Sequence, residues 1–181
     1  MNEDEIVSKL LELSPKEILG YAIASEEDAK NYYMELASKS GQLLGEFFET
    51  LAKAEEGHKK ILLKLHAKLF GDENYQVPVG IPLAETSVKV ETVQNLVEAM
   101  KVALQNEKTA ERIYTHLSKV FPEHGELFSF LATQEKAHYA SIKSHTEYLE
   151  GLMESKPDYV NAPVTYLNNQ LELHIGPSKM P

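Results

Sequence analysis

Leu51-Ala52-Lys53-Ala54-Glu55-Glu56-Gly57-His58 returns in the second half of the chain as Leu131-Ala132-Thr133-Gln134-Glu135-Lys136-Ala137-His138. Upstream of each copy lies a second matched pair, Glu26-x-x-Ala29-x-x-x-Tyr33-x-x-Leu36 and Glu107-x-x-Ala110-x-x-x-Tyr114-x-x-Leu117. The chain therefore reads as two copies of one helical pair, and each copy supplies a lone Glu and then Glu-x-x-His. Residues three apart on an α-helix share a face, with side chains about 5 to 6 Å apart, so the Glu and His of each motif can grip one ion together.

The punctuation of the rest of the sequence fits long helices. Prolines stand at 15, 78, 82, 122, 157, 163, 177 and 181, which leaves 16–77, 83–121 and 123–156 free of the residue most hostile to helix interiors. Ser14-Pro15-Lys16-Glu17 reads as a capping box with Pro at the first helical position, starting a helix that runs to about Ser40 before Gly41. A second helix spans about Gln42 to Phe70, ended by Gly71-Asp72. A third runs from about Thr92 to Val120, and Pro122 separates it from a fourth, about Glu123 to Ser155. Residues 71–91 are too many for an ordinary bundle turn and enough to carry the chain from one end of a bundle to the other. The expected fold is all-α, an antiparallel four-helix bundle of two hairpins joined by one long crossover, occupying 1–156. Ile6, Val7, Leu10 and Leu11 suggest a short helical lead-in. The tail, 157–181, partly alternates between Val164 and Ile175, compatible with a short strand or an irregular arm.

Composition narrows the chemistry. At 181 residues, 43% of them hydrophobic and 25% charged, the chain suits one domain with a real core. It has no cysteine, which excludes thiolate nucleophiles, iron–sulfur clusters and four-thiolate iron sites. A net charge of −10 argues against nucleic acid and anionic membranes as partners. No apolar run approaches a membrane span, and Met1-Asn2-Glu3-Asp4-Glu5 does not resemble a secretory leader, so the expected location is cytoplasmic.

Each helix places its motif at the middle of an apolar stripe. The stripes are Leu19, Ile23, Glu26, Ala29, Tyr33, Leu36; Phe48, Leu51, Ala52, Glu55, His58, Leu62; Met100, Ala103, Leu104, Glu107, Ala110, Tyr114, Leu117; and Phe128, Leu131, Ala132, Glu135, His138, Ile142. Four buried carboxylates must be paired, protonated or bound to metal, and two divalent cations balance them. One Glu from each of two helices plus Glu-x-x-His from each of the other two is the inward ligand set of di-iron and di-manganese carboxylate bundles. The expected ligands are Glu26, Glu55, His58, Glu107, Glu135 and His138, with Glu55 and Glu135 bridging two metals and Glu26 and Glu107 terminal. Oxygen and imidazole donors suit iron or manganese. Chance alone gives about one Glu-x-x-His at this composition. The shared context and matched upstream Glu set these two apart from a metal-free structural bundle.

Tyr33 and Tyr114 lie two turns beyond the lone Glu residues and could hydrogen-bond across to a ligand carboxylate, although core packing accounts for them equally well. Tyr32 and Tyr139 read as packing residues. His66, His116, His124, His145 and His174 lack repeated partners and read as surface or structural. Glu46-x-x-Glu49 and Lys59-Lys60 read as solvated faces.

At Glu26-Glu27-Asp28-Ala29-Lys30-Asn31-Tyr32-Tyr33 and Glu55-Glu56-Gly57-His58 the chain resembles the rubrerythrin family of the ferritin-like superfamily, over about residues 5–155. The resemblance implies a ferritin-like bundle, a non-haem di-iron centre reacting with hydrogen peroxide or dioxygen, an electron-donor redox protein, and a homodimer. Two departures stand out. Ala110 occupies the second position of the third-helix Glu-x-x-Glu found in peroxidase rubrerythrins, so that further ligand is missing. The Cys-rich rubredoxin domain is absent, so electrons come from outside. The leading expectation is a di-iron oxidoreductase; a di-manganese catalase-like enzyme and an iron-sequestering or sensing protein use similar donors.

Overall fold

The computed structural model describes residues 3–83 and 89–167. Five α-helices account for most of them: α1 (Glu3–Leu11), α2 (Pro15–Lys39), α3 (Gln42–Phe70), α4 (Val93–Val120) and α5 (Gly125–Ser155). The local signals for α2 act as expected. Glu17 N–H donates to Ser14 Oγ at 3.4 Å and Ser14 N–H donates to Glu17 Oε2 at 3.0 Å, while Pro15 fills a first-turn position that needs no donor. Between α2 and α3 the turn passes through Gly41 at φ 77°, and α3 ends at Gly71 at φ 89°, left-handed backbone that glycine adopts without a Cβ clash. Pro122–His124 forms a 3-10 turn, so α5 begins two residues later than the sequence suggests.

Two apolar clusters show how the helices run. One contains Tyr33, Phe48, Met100 and Ile142; the other contains Ile23, Leu62, Leu117 and Leu131. Helix α2 proceeds from the second cluster to the first, α3 returns, α4 again runs from first to second, and α5 returns. Thus α2/α3 and α4/α5 are antiparallel hairpins, and α3 and α4 run parallel, which obliges the connection to travel the bundle's length. It does so: Tyr75, Ile81 and Leu83 pack on the second cluster and Val90 on the first. The crossover lies so close on α2 that a Cβ at Gly20 would sit 2.4 Å from the Gln76 carbonyl oxygen, and the Tyr21 hydroxyl donates to the Pro82 carbonyl at 2.9 Å. This is the expected ferritin-like, all-α bundle.

Flanking chain packs on both apolar clusters. Val7 and Leu10 of α1 are buried. After α5 the chain folds back on the start of α4, where Val93 N–H donates to Ala162 O at 3.0 Å and Gln94 N–H to Val160 O at 3.3 Å, satisfying donors that a helix N-terminus leaves open. Tyr159, Val164 and Leu167 enter the first cluster. The tail's described part is thus an irregular arm over the bundle end; the alternating segment at Leu171, Leu173 and Ile175, and His174, lie outside the described residues. Among the described residues no helix is long and apolar enough to cross a membrane.

Candidate metal centre

Between the two clusters each of α2 to α5 replaces an apolar side chain with an acid. Glu26, Glu55, Glu107 and Glu135 are each 3% exposed or less, and His58 and His138 lie beside them, also buried. The six expected residues converge at mid-height. Their donor atoms form two overlapping groups, Glu26, Glu55, His58, Glu135 and Glu55, Glu107, Glu135, His138, with the chosen atoms in each within 4.8 Å of one another. Glu55 and Glu135 belong to both groups; each remaining residue belongs to one. Glu55 Oε2 lies 3.1 Å from His58 Nδ1 and its Oε1 lies 3.0 Å from His138 Nδ1, while Glu135 Oε1 and Oε2 lie 2.9 Å and 3.5 Å from the same two nitrogens. The imidazoles stack with centroids 5.7 Å apart.

The electrostatics of this cluster are those of a site built for cations. Burial holds the Glu26 and Glu107 carboxyls well above the usual carboxylate range, and the acids around them add to that. Burial alone would push both imidazoles down, but the carboxylates outweigh it: Glu135, Glu26 and Glu55 raise His58 to about 12, and Glu107, Glu135 and Glu55 raise His138 to about 12. Burial would likewise raise Glu55, yet His138 and His58 bring it down to about 2. Protons thus do the balancing that metal ions would do. They do it incompletely, since Glu55 Oε1, Glu107 Oε2, Glu135 Oε1 and His138 Nδ1 are buried without an aligned hydrogen bond, although His138 Nδ1 and Glu55 Oε1 are only 3.0 Å apart. Atoms that approach closely without pointing at each other are arranged around a common third point, and the donor set fits a hard or borderline divalent ion.

A sequence model described as Rubrerythrin matches residues 17–146. The chain belongs to the rubrerythrin family. For a rubrerythrin-family chain, membership implies non-haem iron binding, and the buried Glu and His groups could hold it. Among solved structures, a hypothetical protein from Pyrococcus furiosus is similar at 28% identity, covering 81% of this chain and 96% of its own, with a TM-score of 0.75. A ferritin-like, diiron-carboxylate protein from Bacillus anthracis str. Ames shares 24% identity over 84% of this chain and 99% of its own, with a TM-score of 0.45. No curated protein matches this sequence.

Around the rubrerythrin-type cluster the two tyrosines do more than pack. The Tyr33 hydroxyl donates to Glu107 Oε1 and the Tyr114 hydroxyl to Glu26 Oε1, so each half of the repeat secures the lone Glu of the other. Burial, with Glu107 and Glu55 adding to it, pushes the Tyr33 phenol well up, which keeps it a donor. Tyr32 instead donates to the Ala99 carbonyl at 2.8 Å, and Tyr139 is half-buried. His66 is structural: fully buried, with Nδ1 2.6 Å from the Asp72 carbonyl oxygen.

One reading needs correction. Lys59 is not on a solvated face: it pairs with Glu27 at 2.5 Å across α2 and α3, and Lys30 pairs with Glu27 at 2.8 Å and Glu56 at 3.3 Å, whereas Lys60 is exposed as expected. Glu27, Glu56 and Lys59 each follow a cluster residue directly, so these pairs tie α2 to α3 at the height of the cluster. The Glu27–Lys30 spacing was the available signal; the link to α3 required the fold.

Proposed function

We propose that this protein is a non-haem di-iron oxidoreductase that reduces hydrogen peroxide or dioxygen, with two iron ions held by Glu26, Glu55, His58, Glu107, Glu135 and His138. The observation that carries the reading is the sharing of Glu55 and Glu135 between both donor groups, which suits two carboxylates spanning two ions while Glu26 with His58 and Glu107 with His138 complete one ion each. Iron bound by these residues would supply, as two Fe(II) going to two Fe(III), the two electrons that with two protons convert one hydrogen peroxide to two waters.

The chain's own residues bind, orient and exclude. Four carboxylates match the charge of two divalent ions, so loading replaces protons with metal at no net cost in buried charge. The Tyr33 and Tyr114 hydroxyls fix the orientation of Glu107 and Glu26 and raise the precision of the donor set. Apolar clusters on both sides keep bulk water from the ions. In this reading an external redox protein would supply the electrons for further turnovers.

Rapid mixing of the Fe(II)-loaded protein with peroxide or dioxygen tests this. Oxidation faster than that of free iron supports the proposal, and oxidation at the rate of free iron overturns it. Metal analysis of protein purified anaerobically from its native cells separates this reading from manganese chemistry; two manganese ions per chain, with peroxide turnover needing no reductant, would replace it.

A further inference from the structure

The centre has an open side. A cavity of about 30 Å³ lies between α2 and α4, and Glu26, Glu55, Glu107 and Glu135 form its floor; neither His58 nor His138 reaches it. The cavity therefore adjoins the carboxylates and not the imidazoles. Its walls stay apart because small residues stand one turn beyond each lone Glu, Ala29 on α2 and Ala110 on α4. A second, larger cavity of about 280 Å³ lies outside it, roofed by Pro82 and Leu83 of the crossover. Ser25, Ala29 and Asn106 line both cavities, and all three are half-buried, as a partition between solvent and interior must be. The roof is pinned by the hydrogen bond from Tyr21 to the Pro82 carbonyl.

Resting on the di-iron reading, we propose that these two cavities are the route by which the oxidant reaches the centre, and that Ser25, Ala29 and Asn106 form a neck that limits it to narrow molecules of two or three heavy atoms. The size argument is direct. A water needs about 10 to 15 Å³ of such space, so the inner cavity takes about two to three water-sized units, room for one dioxygen, one hydrogen peroxide or one azide. An organic hydroperoxide fits the outer cavity and not the inner one. Asn106 offers an amide to a polar oxidant passing the neck, whereas Ala29 and Ala110 offer only clearance. A longer side chain at 29 would fill the passage without touching a cluster carboxylate's own helix position.

The test uses the full-length, iron-loaded protein with Ala29→Leu, which narrows the neck, and Asn106→Ala, which widens it. Iron content is read first; where Ala29→Leu sheds iron, Ser25→Leu takes its place. Azide association with the oxidised centre, followed by absorbance, reads access without turnover. The expected result is that Ala29→Leu slows azide association by about tenfold or more, and that wild type prefers hydrogen peroxide over cumene hydroperoxide by a margin that Asn106→Ala shrinks about tenfold. Unchanged azide association in the narrowed variant, or wild type oxidised equally fast by both peroxides, overturns the route. If no oxidant reacts with the loaded protein, the proposed function fails, and azide association alone still decides the route.

Discussion

Removing one hydroxyl, in Tyr114→Phe, isolates the contribution of the cross-repeat hydrogen bonds. Tyr114 is 1% exposed and its hydroxyl donates to Glu26 Oε1 in a dry interior where Glu26 is 3% exposed. The phenylalanine ring keeps its stack on Phe128, so packing is conserved and only the donor is lost. A buried acceptor left without its donor costs about 1 to 3 kcal/mol. Losing the partner of a metal-binding side chain typically costs 10- to 100-fold in metal affinity, which is about 1.4 to 2.7 kcal/mol. Tyr32→Phe is the matched control, because it also removes one hydroxyl from a tyrosine that is 1% exposed, but that hydroxyl serves the Ala99 carbonyl. Co(II) titration against a competing chelator reads affinity, and denaturant unfolding of the metal-free forms reads stability. The expected pattern is a loss of stability in both variants and a loss of metal affinity in Tyr114→Phe alone. Equal metal affinities for the two variants would refute the assignment of Tyr114 to the centre.

Metal uptake by the metal-free protein should release protons, because His58 and His138 hold theirs up to about 12 and burial holds protons on Glu26 and Glu107. Apparent affinity therefore rises with pH, and an indicator dye in weak buffer should acidify on adding Co(II); an affinity independent of pH contradicts this. In the metal-free protein the raised imidazole values favour folding fully below about 6.5, and that contribution is lost as pH climbs through about 12, while the Glu55 contribution is present above 4.5 and lost as pH falls through about 2. Gly20→Ala should destabilise by about 1 to 3 kcal/mol in thermal or denaturant unfolding, since its methyl meets the Gln76 carbonyl; an unchanged midpoint would mean the crossover does not lie on α2. Glu26→Leu alone strands the Tyr114 hydroxyl, so the double variant Glu26→Leu/Tyr114→Phe should unfold later than Glu26→Leu by about 1 to 3 kcal/mol, and identical stabilities would argue against that hydrogen bond.

Much of this organisation is legible in the residues because it is local. Ser14-Pro15-Lys16-Glu17, Gly41, Gly71 and Pro122 mark helix ends through backbone preferences that need no tertiary context, and the α2 to α4 limits follow to within a residue or so. The six convergent side chains are legible because a charged residue in the middle of an apolar stripe has few places to go. What is not legible depends on contacts between segments distant in the chain. Nothing in the order of residues says that Tyr33 reaches Glu107 and Tyr114 reaches Glu26 rather than the Glu nearest in sequence. Lys59 looks solvated until α2 brings Glu27 beside it, and the choice between a surface and a structural His66 is made only when the turn after α3 places the Asp72 carbonyl against its ring. The passage beside Ala29 and Ala110 is a space between helices, and spaces have no residue to announce them.

The exchange of tyrosine hydroxyls between the two hairpins bears on ancestry. A hairpin ending at Phe70 would carry Glu26, Glu55 and His58 but lack Glu135, and its Tyr33 would have no acceptor. If the present chain arose by duplication, the half-length forerunner worked only as a pair of identical twins, each lending the other a carboxylate and a phenol. On that view fusion made permanent a partnership that had depended on encounter, and freed each half to drift, as the Lys59 tie in one hairpin and Tyr139 at the equivalent place in the other record.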